Sequence, residues 1–227
     1  MINTPSYRTM TEIATEAIKE AILNGVYAPG TRLVPAKLEK ELNLGRVAIR
    51  EAIRELSGSG LVVSEPNKGA VVAKAITEEE LREIFEIRYD LEGKASLLAT
   101  KRITPEGIIK LENLNQDLMG YVDKPREYFL LNRKWHLDFY QWSGWSFLCQ
   151  IITQLFDRVL VFRSVFPFRT EDIPPYIDEH LQMLAAMKKG DGEKVRQILV
   201  SHLQTSCGRL IQRSRKPQAG GLVGKEG

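Results

Sequence analysis

Only three histidines occur in this 227-residue chain, and their spacing is informative. In the stretch NRKWH, Asn132 and His136 are four residues apart, so on a helix they share a face. The other two histidines flank the turn signal Lys189-Gly190-Asp191-Gly192. His180 lies eleven residues before Asp191 and His202 eleven after it. In an antiparallel helical hairpin, positions equidistant from the turn lie side by side, because both helices rise equally per residue. The two imidazoles therefore meet across that hairpin, and His136 need only approach from a third helix. Three neutral imidazoles suit a divalent transition metal, Zn or Ni foremost. The plainer alternative is three separate interior or surface histidines. An ion with open positions could also activate water, as in a three-histidine hydrolase. No H-E-x-x-H is present, however; Glu179 adjoins His180 and Asp138 is two residues from His136, so both carboxylates point to other faces.

A second constellation is basic. Arg46, Arg50 and Arg54 fall at i, i+4 and i+8, drifting only about 40° per step, and form one stripe. The apolar set Ile49, Ala52, Ile53 and Leu56 faces elsewhere. A helix pinned on one side and basic on another can enter a DNA major groove. The competing explanation is a solvated face partly neutralised by Glu51 and Glu55.

The elements that must position these groups are marked by periodicity and punctuation. Residues 9–24 place Ile13, Ala17, Ile18, Ala21 and Ile22 on one helical face before Gly25. Pro29-Gly30 marks a turn, PAKLEKEL a short helix with Pro35 in its first turn, and GRVAIREAIRELSGSG a second helix ended by Gly58 and Gly60. Two β-branched runs, 61–63 and 70–73, flank SEPNKG and predict a hairpin. Residues 1–76 thus read as a winged helix-turn-helix DNA-binding domain. From Thr77 the texture is helical throughout: a capping box from Thr77 to Glu80 opens a long helix, Thr104-Pro105 another, and further helices follow at about 125–143, 146–165, 174–189 and 191–213. The fold class is mostly α: a winged module with a small β-hairpin, then an antiparallel bundle of six or seven helices over 77–213. Residues 214–227 are Gly-rich, without periodicity, and expected to be disordered.

Composition excludes little beyond the extremes. Net charge is +3, and Lys plus Arg against Asp plus Glu run 10 to 8 over residues 1–76, 19 to 20 over 77–213 and 3 to 1 in the tail. A DNA partner must therefore be argued from charge placement, not its total. RVLVFRSVFPF is interrupted by Arg158, Arg163 and Pro167, so no membrane span is expected. MINTPSYRTM lacks a signal-peptide pattern, and Cys149 and Cys207 show no paired spacing. The expected compartment is the cytoplasm.

AILNGVYAPGTRLVPAKLEKELNLGRVAIREAIRELSGSGLV resembles the DNA-binding domain of GntR-type transcription regulators, with PG-x-RL, R-x-x-x-REA and GLV in order. The resemblance implies that Arg46 and Arg50 contact DNA and that Lys68-Gly69 forms the wing tip near the minor groove. Where the family carries Ser, Thr and Pro, this chain has Gly45, Val47 and Ala48. Gly45 offers a backbone N–H to phosphate, and Val47 a surface for a thymine methyl. At the start of the second helix, Ala36 and Lys37 stand where members often carry Arg.

The second block resembles the helical FCD ligand-binding domain of the FadR subfamily, on EIRYDLEGKASLLA, NRKWHLDFY and IDEHLQMLAAMKKGD-GEKVRQILVSHL. That resemblance implies a divalent metal held by Asn132, His136, His180 and His202, the first an amide where the family has an acidic residue. It suggests Arg88 as partner of an anionic effector, against the alternative of an ion pair with Glu92. Arg158 is a further effector-binding candidate; Trp135, Tyr140 and Trp142 line the pocket or belong to the core. The implied protein is no enzyme. It is a regulator, a repressor by the more common logic, that binds palindromic operator DNA as a homodimer and answers to a small carboxylate effector. A regulator whose effector is the metal itself uses the same residues.

Overall fold

The computed structural model describes residues 8–215. The first helix, α1 (Met10–Leu23), begins where Thr9 and Glu12 close a reciprocal capping box. Helix α2 (Pro35–Leu42) opens on proline, whose missing N–H costs nothing at a first helical position. It ends on Asn43 in the left-handed conformation (φ 51°), which turns the chain into α3 (Arg46–Gly58). Strands β1 (Val62–Glu65) and β2 (Gly69–Val72) pair antiparallel, with Val62 opposite Val72 and Glu65 opposite Gly69. Arg32 makes an isolated antiparallel bridge to Val71 on the other side of β2, a pairing that periodicity did not reveal.

The buried face of α1 differs from the expected one. Ala14, Thr15, Ile18, Ile22 and Leu23 are buried, whereas Ile13 is exposed. Helix α1 is clamped on two sides, by α3 and by a bundle helix, which rotates its contact stripe. Thr15, polar but buried, donates its hydroxyl proton to the Glu55 carboxylate on α3 (2.8 Å).

The bundle comprises α4 (Glu78–Thr100), α5 (Pro105–Met119), α6 (Pro125–Gln141), α7 (Ser146–Val165), a 3-10 turn at Thr170–Asp172, α8 (Ile173–Lys188) and α9 (Gly192–Ser214). Thr77 and Glu80 cap α4 reciprocally, Thr104 caps α5, and Asp191 caps α9. Helices α4 and α8 both pack on α9, α5 packs on α8 and α6, and α7 packs against α4 and α6. Residues 214 and 215, assigned to the tail, belong to the bundle instead. Ser214 closes α9, and the Arg215 guanidinium bonds the Glu78 carboxylate across to α4 (2.8 Å from Nε). The rest of the expected tail, from 216, lies outside the described residues.

The two modules are joined by side chains from α6 and α7. Asp157, buried, accepts Lys19 of α1 (3.1 Å) and Arg133 of α6 (2.7 Å). Arg126 donates to the Asn24 carbonyl (3.0 Å), and Arg158 to the Gly60 carbonyl (2.8 Å). Gly60 follows α3 with φ +75°, and a Cβ there would lie 2.7 Å from Cδ of Arg158. Gly60→Ala is expected to cost about 1–2 kcal/mol from the left-handed backbone alone, read as a lower denaturant midpoint. An unchanged midpoint would show that the junction tolerates a side chain.

Candidate functional site: a buried histidine chamber and an exposed arginine face

The structure brings His136, His180 and His202 together. All three are buried, and one ligand atom of each lies within 4.8 Å of the others. The helices that supply them are α6, α8 and α9. His180 and His202 have ring centroids 5.3 Å apart across the α8–α9 hairpin, and His180 stacks flat on Trp135 at 4.0 Å.

Each ring is oriented through its Nδ1. His202 Nδ1 lies 2.6 Å from a Glu179 carboxylate oxygen, and His180 Nδ1 lies 3.1 Å from the Asn115 amide oxygen. Both partners are acceptors, so both nitrogens carry the proton. Tyr140 donates its single hydroxyl proton to Glu92 (2.5 Å) and lies 3.2 Å from His136 Nδ1, which must then donate to it. That leaves Nε2 bare on the neutral rings of His136 and His180. The two face each other at 3.3 Å, acceptor against acceptor. Two nitrogens ligating one tetrahedral Zn at about 2.0–2.1 Å would sit roughly 3.3 Å apart, a spacing this pair matches. Fixing the far nitrogen by a carboxylate, amide or hydroxyl is also what metal-binding imidazoles require. The donor set therefore fits a divalent metal.

Burial, followed by repulsion from the neighbouring imidazoles, pushes His136 and His180 well below the ordinary imidazole pKa. Around these rings the folded, metal-free chain binds fewer protons than the unfolded one. Their contribution to stability is full above pH ~6.5 and is lost as pH falls toward the folded-state values. After chelation, the melting temperature is expected to drop between pH 7 and pH 5; a flat profile would contradict neutral, buried rings.

A chamber of about 20 Å³, room for roughly one water, adjoins the histidines and is lined by Arg88, Asn132, His136, Phe156, Arg163 and His202, among others. Arg88 makes the ion pair with Glu92 weighed from the sequence, its Nε 2.5 Å from the carboxylate, while its guanidinium lies over Phe156 and lines the chamber. Asn132 accepts from Tyr128 (3.3 Å), which leaves one amide-oxygen lone pair. Arg158 is not brought to the chamber. It sits two residues, about 200° of helix rotation, beyond Phe156, and it holds Gly60 instead. A larger groove of about 530 Å³ between α4 and α9 is open and has no histidine in its lining.

Four contributors were not found from sequence. Glu179 was discounted because it adjoins His180, yet it lies only one position from the residue equidistant with His202, and its carboxylate reaches His202 Nδ1 across the hairpin. Asn115, Glu92 as Tyr140's acceptor, and Arg163 come from other helices, and no spacing signals them.

On the N-terminal module, Gly45, Arg46, Val47, Arg50 and Arg54 are exposed along α3, with Lys37 exposed on α2 and Lys68 and Gly69 at the hairpin tip. The ion pairs here are local and solvent-screened: Arg46–Glu39, Arg54–Glu51, Lys68–Glu65 and Lys37–Glu41. Gly45 caps α3 without a side-chain hydrogen bond, so first-turn amides face outward, as phosphate binding requires.

Residues 11–72 match bacterial regulatory proteins of the gntR family, and residues 83–205 match the FCD domain. The HTH-type transcriptional regulator McbR of Escherichia coli (strain K12) is 27% identical over 202 residues, covering 86% of this chain and 90% of that one. The HTH-type transcriptional repressor RspR of the same strain is 26% identical over 202 residues, 82% of each chain. The solved structure of E. coli McbR/YncC superposes with a TM-score of 0.81 at 26% identity, covering 92% of this chain and all 100% of that one. No helix among the described residues is long and apolar enough to cross a membrane.

Proposed function

The chain belongs to the gntR family of bacterial regulatory proteins, with an FCD domain joined to the DNA-binding module, and from that premise we propose how it recognises DNA and what signal it reads. It is a DNA-binding transcriptional regulator, not an enzyme. In our reading it acts in the cytoplasm as a repressor, and a homodimer presents two winged modules to a palindromic operator. Arg46 and Arg50 read base edges in the major groove, Val47 packs on a thymine methyl, and Arg54 and Lys37 contact phosphate. Lys68 and Gly69 approach the minor groove. The observation that carries this assignment is the continuous exposed basic face of α3 beside an uncapped helix N-terminus.

The signal is a small carboxylate bound in the histidine chamber. His136, His180 and His202 would hold a divalent metal, Zn or Ni foremost, with Asn132 adjacent; such an ion supplies positive charge to attract and orient a carboxylate. Arg88 adds a planar donor fork. The effector acts through a difference in affinity between two placements of the winged modules. The convergence of the three buried imidazoles also favours a second reading, in which the metal alone is the signal. Selection of bound DNA from a random pool, followed by separate titrations of organic acids and of metals, tests both. Release by acids at constant metal supports the first reading; release only by metal or chelator supports the second. Absence of any selected sequence would sink operator recognition.

A further inference from the structure

Arg163, on α7, is buried and lines the chamber, yet among the described residues no carboxylate pairs with it. Its Nη2 donates to the Ser206 hydroxyl (2.9 Å), and its Nε–H finds no acceptor. Its guanidinium lies over the Phe168 ring at 3.7 Å. Burial lowers its pKa to about 9, with Arg213 and Arg88 adding repulsion. A buried guanidinium with one neutral partner is expensive unless something else satisfies it.

The acids nearby are already engaged. Glu92 takes Arg88 and Tyr140, and Glu179 takes His202 Nδ1. Arg88 is therefore balanced from within the chain and Arg163 is not. The two cations belong to one chamber, so a ligand that fills it meets an unmatched positive group away from Glu92.

The chamber's present volume of about 20 Å³ holds no organic acid. The side chain against Arg163 is Phe168, from the connection between α7 and the 3-10 turn rather than from a helix. It meets Tyr128 at 5.3 Å and Tyr176 at 5.6 Å edgewise, and Phe129 at 6.1 Å in a tilted contact. Of the chamber's walls, it alone in this set is carried by a short non-helical segment.

We propose that the effector is a dianion: one anionic group seats at the histidine end beside Arg88, and a second displaces the Phe168 ring to pair with Arg163 and Ser206. Carboxylate and phosphate oxygens both match the guanidinium fork. This rests on the reading of the chamber as an organic-acid site, which it deepens by fixing the ligand's charge and the place of its second group.

The test uses full-length protein as purified, with calorimetry of diacids of three to six carbons, monoacids of equal length, and 3-phosphonopropionate. At least one dianion is expected to bind roughly ten- to a hundredfold more tightly than its matched monoacid, the scale of a charge-assisted hydrogen bond. Arg163→Gln removes that preference, bringing the dianion's affinity down to that of its matched monoacid, and melts no lower than wild type without ligand, because it removes an unmatched charge. Phe168→Ala raises dianion affinity by vacating the second position. Should Arg163→Gln not fold, Arg163→Lys keeps the charge without the fork and retains part of the preference. Equal binding of monoacids and dianions, or full preference in the Arg163 variants, overturns the proposal while the effector site stands. If no acid binds wild type, both fall.

Discussion

Changing Arg46 and Arg50 together to alanine is expected to abolish selective operator binding without altering the melting temperature. Each bidentate arginine–guanine contact contributes about 1–3 kcal/mol of discrimination, so loss of both lowers the specificity ratio by roughly thirtyfold or more. Residual binding is the phosphate-driven kind, still steeply salt-dependent. Stability is spared because both side chains are exposed and the one ion pair lost, Arg46 with Glu39, is solvent-screened. Fluorescence anisotropy on the selected operator and on a scrambled duplex, at one salt concentration, reads the outcome. A double variant that still distinguished the two duplexes would move recognition away from α3.

The second large effect concerns the metal. Wild type is expected to purify with about one divalent ion per chain and His180→Ala with none. His180 is fully buried, is positioned by Asn115 and Trp135, and points its Nε2 at that of His136. Its removal leaves two imidazoles and a neutral amide, too few strong donors for a structural ion. A ligand present at a hundred times its dissociation constant stabilises the folded state by about 2.7 kcal/mol. Chelation should therefore lower the wild-type melting temperature by several degrees and leave the variant's unchanged. Equal metal content in the two proteins would sink the site.

Much of the scaffold was legible because helix boundaries are written in local chemistry. Thr77 with Glu80, Pro35, Pro105 and Asp191 mark starts that the structure keeps. The pairing of His180 with His202 follows from counting outward from one turn. What escaped was whatever depends on a partner from a distant segment. Ile13 is apolar and in phase yet exposed, because α1 answers to two packing partners at once. Arg32 pairs with Val71 from a stretch that reads as a turn. Arg158 and Arg163 look alike in RVLVFRSV, and only the rotation of α7 sends one to Gly60 and the other into the chamber.

The contact between Arg158 and Gly60 has a bearing on how such regulators diversify. Helix α7 grips the winged module partly through a backbone carbonyl, with a glycine that leaves room for the guanidinium stem. A carbonyl is the same whatever operator the α3 surface has come to read. Mutations that retarget α3 therefore leave this part of the joint untouched, and a foreign winged module grafted onto this bundle keeps the grip if it brings glycine at that place. To that extent target choice and signal choice can change separately, with Lys19 on Asp157 the side-chain contact a new module must also supply.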